Sequence, residues 1–286
     1  MLIYFPHMLG QMKNGLQNTP KFMKKYLKGQ YFDVSCKNST NNKVQNLVYN
    51  LQNLHYVNSS LQGLKINIGG DHSMAIGTVS ASLNSVPQNQ LKVLWFDAHP
   101  DINTYESSGT KNVHGMPLAY LSGLCESKNF PYIKHLLPLN NLMYIGIRDI
   151  DPFEKEIIKK YNIPYLTTQD IHLNLNKSTQ LIHDFIGNNP VHLSFDVDCL
   201  DPSVVPCTGT KVENGLYSEN VGSIIDMLSK RNIINIDITE LNLDLGTKEE
   251  QEKSFYNVFD IMRPFLWPYS KNIIYQKGNL YKNGTK

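Results

Sequence analysis

The chain has few of the features that mark secreted, membrane-bound or nucleic-acid-binding proteins. Its 286 residues include only four cysteines, at 36, 125, 199 and 207, with no C-x-x-C pair, so we expect free thiols. The apolar runs are all much shorter than a membrane span. The formal net charge is only +2 and forms no basic stripe, which argues against a nucleic-acid partner.

The amino terminus also lacks the pattern of a signal peptide. MLIYFPHMLGQMK has Pro6 and His7 inside its apolar stretch and no small-residue cleavage site, so it predicts a first strand and a loop. We therefore expect a cytoplasmic protein that does not bind membranes.

Hydrophobic residues make up 41% of the chain, enough for a sizeable core, and apolar runs alternate with helical segments. The runs predict strands at residues 2–5, 64–68, 91–96, 142–147, 191–197 and 233–238, with a shorter one at 163–166. Helices are predicted over 43–54, 151–162 and 218–232, the first with one apolar face made of Val44, Leu47, Val48, Leu51 and Leu54. This alternation predicts a single α/β domain over residues 1–286, a three-layer αβα structure with a mostly parallel central sheet.

Potential metal ligands directly follow the strand predicted at 91–96. In WFDAHPDINT, Asp97, His99 and Asp101 occupy positions i, i+2 and i+4. Side chains at this spacing point to the same side of an extended chain, whereas on a helix they would diverge. Carboxylate and imidazole heads can therefore converge at this strand end, where a divalent cation would offset their crowding.

Similar residues occur in four other fragments, three of which follow predicted strands. GGDHS places His72 after one strand, DVDCLDP places Asp196 and Asp198 after another, and TELN and NVHG supply Glu240 and His114. Each fragment alone is weak, because a lone histidine is usually a packed residue and an Asp-x-Asp pair is usually a solvated turn. Their combination is informative, because ligand sites of parallel α/β sheets lie beyond the carboxyl ends of the strands.

The charge of this set predicts two metal ions. Four aspartates carry four negative charges, which two divalent cations balance and one does not. The set is rich in oxygen, has two imidazoles and has no clear thiolate, which favours manganese over a structural zinc site. Two such ions can share a water and convert it to hydroxide near neutral pH, which predicts a hydrolase.

Six segments occur in the order and near the spacings of a known family. They are GGDHSMAIGT, WFDAHPDINT, NVHGMPLAYL, GIRDIDPFE, SFDVDCLDPSVVPCTGT and ITELN. With them the chain resembles the ureohydrolases and, among these, the arginases most. The resemblance covers residues 64–246. It is loose over the first 60 residues, through NGLQNTPKFMKKYL, and weak after Gly246.

The resemblance implies two Mn²⁺ per subunit and hydrolysis of L-arginine to L-ornithine and urea. One ion would be held by His72, Asp97, Asp101 and Asp196, and the other by His99, Asp97, Asp196 and Asp198, with Asp97 and Asp196 bridging. The nucleophile would be a hydroxide that bridges the metals. Glu240 would bind the guanidinium group, Asp101 would orient the nucleophile and pass its proton to the leaving amine, and His114 would shuttle protons to solvent.

The resemblance also implies how the amino-acid end of the substrate is recognised. The carboxylate would be bound by Asn103, Thr110 and Asn112, and the ammonium by Asp151 and Glu154. Thr208 would shape the floor beside Glu240. Three residues depart from the usual arginase pattern: Thr110 replaces a serine, Lys111 replaces a small residue and Cys199 replaces a common glycine.

Two alternatives stay open at this point. A hydrolase for agmatine or another guanidino compound would use the same metals and differ in the tail pocket. A metal-binding homologue without turnover would act through protein contacts, although every expected ligand is present. The resemblance also implies a homo-oligomer, a trimer or hexamer, but the carboxyl-terminal YSKNIIYQKGNLYKNGTK does not resemble the trimer-stabilising tail of the animal enzymes.

Overall fold

The computed structural model describes residues 1–270, and the carboxyl-terminal segment discussed above lies almost entirely outside them. One eight-stranded sheet runs through the described chain, and all of its strand pairings are parallel. The strands are β1 (Leu2–Tyr4), β2 (Tyr31–Asp33), β3 (Lys65–Ile68), β4 (Lys92–Phe96), β5 (Leu142–Ile147), β6 (Tyr165–Thr167), β7 (Val191–Asp196) and β8 (Ile233–Thr239). Their order across the sheet is β2-β1-β3-β8-β7-β4-β5-β6.

Helices cover both faces of this sheet. They are α1 (Thr19–Met23), α2 (Lys43–Ser60), α3 (Ala75–Ser85), α4 (Pro117–Ser122), α5 (Pro152–Tyr161), α6 (Thr168–Leu173), α7 (Leu175–Ile186), α8 (Ser218–Leu228), α9 (Lys248–Ile261) and α10 (Arg263–Leu266). Alternate residues of β4 show the two layers, because Val93 and Trp95 pack with α3 and α4 while Leu94 and Phe96 pack with α7, α8 and α9. The predicted αβα architecture with a parallel sheet is confirmed. In residues 1–270 no helix combines the length and apolarity needed to span a membrane.

The seven predicted strands are present, with ends that differ by up to two residues. The sequence prediction missed β2, a three-residue exposed edge strand. It also did not assign the long helices α3, α7 and α9. For α3 the reason is that nine residues from Ala75 to Leu83 are buried, so its sequence has no polar face to give a helical period. One detail was wrong: Val44 is exposed, whereas Leu47, Leu51 and Leu54 form the buried face of α2.

The strand order brings the predicted ligands together. The strands β3, β8, β7 and β4 are consecutive neighbours in the middle of the sheet, and all run in the same direction. The residues that follow them therefore meet at one edge. His72 follows β3, Asp97 follows β4, Asp196 ends β7 and Glu240 follows β8.

Candidate active site and metal centre

His72 lies at the centre of the first ligand group. Its Nδ1 is 2.9 Å from Asp97 Oδ2, 3.0 Å from Asp101 Oδ2 and 3.1 Å from Asp196 Oδ2. Nδ1 is buried and has no hydrogen-bond partner among residues 1–270. One ring nitrogen cannot serve three carboxylates, so a cation among the four groups would satisfy all of them.

The other side of the His72 ring is fixed by protein contacts. Nε2 lies 2.8 Å from the Ser194 hydroxyl, and the ring stacks on Trp95 at 4.0 Å with an angle of 11° between the planes. When Nε2–H donates to Ser194, Nδ1 keeps its lone pair directed at the carboxylates. This is the arrangement expected of a metal-binding histidine.

The second ligand group is formed by His99, Asp97 and Asp198. His99 Nδ1 is 3.3 Å from Asp97 Oδ1 and 3.2 Å from Asp198 Oδ2. Asp97 belongs to both groups, one oxygen facing His72 and the other His99. Asp196 faces His72 with Oδ2, while its Oδ1 accepts the backbone N–H of Asp198. Its predicted role as a second bridge stays a prediction.

The aspartates are held in place by backbone geometry and donors. Asp97 accepts the Trp95 indole N–H at 3.0 Å, and Asp198 accepts the Thr210 hydroxyl at 2.7 Å. Asp101 and Glu240 adopt left-handed backbone conformations, with φ of 51° and 60°. Such conformations are uncommon outside glycine and cluster at functional sites.

The electrostatics of the metal-free cluster favour bound cations. Burial lowers the pKa of His72, but the close carboxylates of Asp101, Asp196 and Asp97 outweigh this effect and raise it well above its usual value. The pKa of His99 is raised for similar reasons. Burial and the Asp97 charge raise the pKa of Asp101 to about 7, and burial and the Asp198 charge raise that of Asp196. Protons therefore supply positive charge where a metal ion could do so.

Glu240 lies beside the metal-ligand groups, almost completely buried. Its Oε1 accepts the backbone N–H of His72 at 2.9 Å and lies 3.2 Å from His114 Nδ1. Its Oε2 accepts the side-chain amide of Gln11 at 2.5 Å. Burial lowers the pKa of His114, but the hydrogen bond to Glu240 and nearby negative charges raise it to about 9.

The residues predicted to recognise an ammonium lie at the start of α5. Asp151 Oδ2 accepts the Asn103 amide at 2.9 Å, so these two predicted contacts are neighbours. Glu154 is buried, and its two oxygens accept the backbone N–H groups of Ile102 and Asp151. Burial raises the pKa of Glu154 to about 8. Glu154 thus links α5 to the loop that carries Asn103, and its contact with substrate stays a prediction.

The other two residues predicted to bind a carboxylate, Thr110 and Asn112, lie on the loop after Asn103. Thr110 is exposed, and its hydroxyl accepts the backbone N–H of Asn112 at 3.3 Å. Lys111, with φ of 59°, donates through Nζ to the carbonyls of Tyr105 at 2.6 Å and Glu106 at 3.3 Å. The Lys111 ammonium group therefore holds the two ends of this loop segment together through these hydrogen bonds.

Two further positions were singled out from the sequence. Thr208 is buried and pairs through its backbone with Leu241, next to Glu240, and its hydroxyl has no hydrogen-bond partner among residues 1–270. Its predicted place on the floor of the site fits this neighbourhood. Cys199 is also buried, and burial raises the pKa of its thiol, so it is not a reactive thiolate.

Comparison with known proteins agrees with this geometry. The model of the arginase family matches residues 9–261, which is most of the chain. The chain belongs to the arginase family. A curated arginase from Entamoeba histolytica is 34% identical over 280 residues, covering 90% of this chain and 93% of that protein. The crystal structure of the Entamoeba histolytica arginase in complex with L-ornithine superimposes with a TM-score of 0.84 at 28% identity, covering 92% of this chain and 97% of that one.

Other members of the family are matched over a shorter part of their length. An arginase from Neurospora crassa is 39% identical over 198 residues, which covers 65% of this chain. That match spans 55% of the Neurospora protein, little more than half. The family assignment rests on the family model, whose match over residues 9–261 contains both ligand groups.

Sequence reasoning missed two residues of this arginase-family site. Ser194 contacts His72 from within β7, and Gln11 reaches Glu240 from the loop after β1. Gln11 could have been found by extending the strand-end rule to the first strand. Ser194 gives no comparable pattern, because a serine inside an apolar strand has many structural roles.

Proposed function

We propose that this protein is a manganese-dependent arginase that hydrolyses L-arginine to L-ornithine and urea. The observation that carries the proposal is the pair of largely buried ligand groups that share Asp97. Membership of the arginase family and the likeness to relatives named arginase support the same activity. An agmatine-hydrolysing enzyme is less favoured, because the matched relatives with high coverage are named arginases.

Two manganese ions would be held by the six residues of the two ligand groups, His72, Asp97, His99, Asp101, Asp196 and Asp198. When bound, the ions supply an activated water as the nucleophile for the guanidinium carbon. The donor set fits them, since four carboxylates and two imidazoles converge and His72 Nδ1 has no other partner within the described chain.

The remaining residues bind the substrate and move protons. Glu240 presents a buried carboxylate, which is suited to accept the N–H groups of a guanidinium cation. Asp101 lies 3.0 Å from His72 in the first ligand group, where its carboxylate can take up the proton of the nucleophile and hand it to the leaving δ-amine. His114 is 17% exposed at its side chain and contacts Glu240, so it can exchange protons between the site and solvent.

The direct test is to measure urea and ornithine production from L-arginine by the purified protein with added Mn²⁺. Agmatine and other guanidino compounds are assayed in parallel, and a chelator should abolish activity that Mn²⁺ restores. We expect the highest kcat/KM with L-arginine. Equal or higher wild-type activity on agmatine would contradict the arginase assignment, and urea release that survives complete metal removal would contradict the metal centre.

Asp151 should carry much of the preference for an amino acid. Asp151→Ala removes the carboxylate that neighbours Asn103 and is proposed to pair with the substrate ammonium. A hydrogen bond to a charged group contributes roughly 1.5–3 kcal/mol, so we expect KM for L-arginine to rise about 10- to 100-fold. Asp170→Ala is the matched control, because Asp170 lies in the first turn of α6. An unchanged KM in Asp151→Ala would remove Asp151 from the substrate contacts.

The cytoplasmic location, the homo-oligomeric assembly and the extent of one catalytic domain over residues 1–286 stay predictions. Size-exclusion chromatography with light scattering would test the assembly. A trimer or hexamer is expected, and a monomer would contradict the prediction.

A further inference from the structure

We propose that Gln11 is a positioning residue for the guanidinium-binding carboxylate of Glu240, so that the loop after β1 forms part of the substrate site. The inference rests on the proposed arginase function, in which Glu240 binds the guanidinium group. It assigns a role to a segment in which the sequence resemblance is loose. The observations that carry it are the contacts of Glu240 and the way in which the loop itself is fixed.

The acceptor positions of Glu240 are largely occupied by protein donors. Oε1 accepts the His72 backbone N–H and faces His114 Nδ1, at 2.9 and 3.2 Å. Oε2 accepts only the Gln11 amide among the described residues, at 2.5 Å. A carboxylate offers about four acceptor positions, so Oε2 keeps one for a substrate N–H. The Gln11 contact fixes the rotation of the carboxylate and thereby the direction of that position.

A glutamine suits this task because its amide is a neutral donor. A lysine or arginine in its place would compensate the charge of Glu240 and compete with a cationic guanidinium. Gln11 is 5% exposed and Glu240 is 1% exposed, so their hydrogen bond is shielded from water. In such surroundings a lost donor leaves a buried acceptor without its partner, which is costly.

The loop that carries Gln11 is anchored to the same site through its backbone. Gly10 N–H donates to Asp71 Oδ2 at 2.7 Å, and the Gly10 carbonyl accepts the His114 backbone N–H at 3.1 Å. A Cβ at position 10 would lie 2.1 Å from Asp71 Oδ1, so only glycine permits this approach. Lys43 Nζ donates to the Gln11 carbonyl at 3.3 Å. The loop therefore holds the Gln11 amide in a defined place.

The expected consequence is a selective loss of guanidinium recognition. Gln11→Met keeps the length of the side chain and removes its donor. KM for L-arginine should rise about tenfold, because the freed Glu240 carboxylate no longer presents its remaining acceptor in a fixed direction. The Ki of L-ornithine should be unchanged, because ornithine lacks the guanidinium group. Manganese content and melting temperature should stay near wild type, because Gln11 contacts none of the six proposed ligands through its side chain.

The matched control is Gln17→Met. Gln17 lies in the same amino-terminal region, and its side chain accepts only the Gly15 backbone N–H among the described contacts. It should leave KM and the ornithine Ki unaltered. Gln11→Glu provides a second variant of native length and polarity, and its carboxylate should repel Glu240 and raise KM more than Gln11→Met does.

The outcomes separate the two proposals. A wild-type protein that releases no urea from L-arginine contradicts the arginase function itself. An active wild type with an unchanged KM in Gln11→Met and Gln11→Glu overturns the role of Gln11. So does a parallel weakening of arginine and ornithine, because that result indicates a general distortion of the pocket. A raised KM for arginine with an unchanged ornithine Ki supports the inference.

Discussion

Two buried clusters of histidine and aspartate lie on the same parallel sheet, and their hydrogen bonding differs. In one, His192 Nε2 is 3.0 Å from Asp237 Oδ2 and Nδ1 is 2.9 Å from the Ser82 hydroxyl. Asp237 also accepts from Asn67 at 2.9 Å and Thr78 at 2.5 Å. In this cluster, which we call the His192 network, both ring nitrogens and both carboxylate oxygens have protein partners.

The cluster around His72 has similar residue types but is unsatisfied. Its Nδ1 faces three carboxylates without a hydrogen bond inside the described chain. Buried polar groups in folded proteins are nearly always paired, so an unpaired nitrogen among acids requires an explanation. Burial and residue type therefore do not distinguish a structural cluster from a functional one. The balance of hydrogen-bond donors and acceptors distinguishes them. The His192 network is fully hydrogen-bonded, whereas the cluster around His72 needs added positive charge.

The largest expected effect comes from removing one charge from each cluster. Asp196→Asn should reduce manganese affinity by more than the roughly 10–100-fold that loss of an outer hydrogen-bond partner costs, and activity should fall with it. The same change should raise the melting temperature of the metal-free protein, because it removes a carboxylate whose pKa burial and the Asp198 charge raise. Metal analysis and thermal melts with and without chelator measure both effects.

Asp237→Asn is the counterpart in the His192 network. It leaves buried donors without their acceptor, at a cost of roughly 1–3 kcal/mol each, so the melting temperature should fall with and without metal. Manganese affinity of the folded protein should be unchanged. A loss of metal in Asp237→Asn, or full metal content in Asp196→Asn, would end the distinction between the two clusters.

The metal-free protein should lose stability as pH rises from about 4 to about 9. Asp101 and Glu154 have folded pKa values of about 7 and about 8, above the usual 3.8 and 4.5, and that of His114 is raised to about 9 from 6.5. A group with a raised pKa stabilises the fold below its unfolded pKa and loses this contribution as pH passes its folded pKa. A tenfold difference in proton affinity between the folded and unfolded states corresponds to ~1.4 kcal/mol, so each of the three groups should contribute a few kcal/mol.

Thermal melts of chelated protein at several pH values test this sign. Bound Mn²⁺ should reverse much of the loss above pH 7, because ionised aspartates are its ligands. If the stability of the chelated protein instead increases from pH 5 to pH 8, the carboxylates are not crowded without metal. Asp101→Asn should flatten the profile between about pH 4 and 7, where the Asp101 contribution is lost.

The sequence allowed much of the fold to be predicted because buried parallel strands are continuous apolar runs. This rule did not find β2, because that strand is exposed. The corresponding rule for helices, an amphipathic period, did not find α3, because that helix is buried around its surface. Strand ends located His72, Asp97 and Asp196 at one edge, since parallel strands share direction.

The partners of these residues could not be predicted in the same way. The contact of Gln11 with Glu240 joins residues 229 positions apart, and that of His72 with Ser194 joins residues 122 apart. Such pairs depend on how helices and loops pack against the sheet, which local patterns do not report. The His192 network is likewise invisible in the sequence, where VHLSF resembles any buried strand.

The smallest expected effect concerns the bond that sets the orientation of the His72 ring. Ser194→Ala removes the hydroxyl that lies 2.8 Å from Nε2, so the ring can rotate and its proton can move to Nδ1, the nitrogen proposed to bind metal. Manganese affinity should fall about tenfold, at the low end for loss of such a partner, while KM stays near wild type in excess Mn²⁺. Ser82→Ala is the matched control, since it removes the equivalent hydroxyl from His192. It should lower the melting temperature and leave manganese affinity unchanged. If both serine variants weaken metal binding equally in calorimetric titrations, the effect comes from general loosening of the buried layer, and the ring of His72 is oriented by its stacking on Trp95 instead.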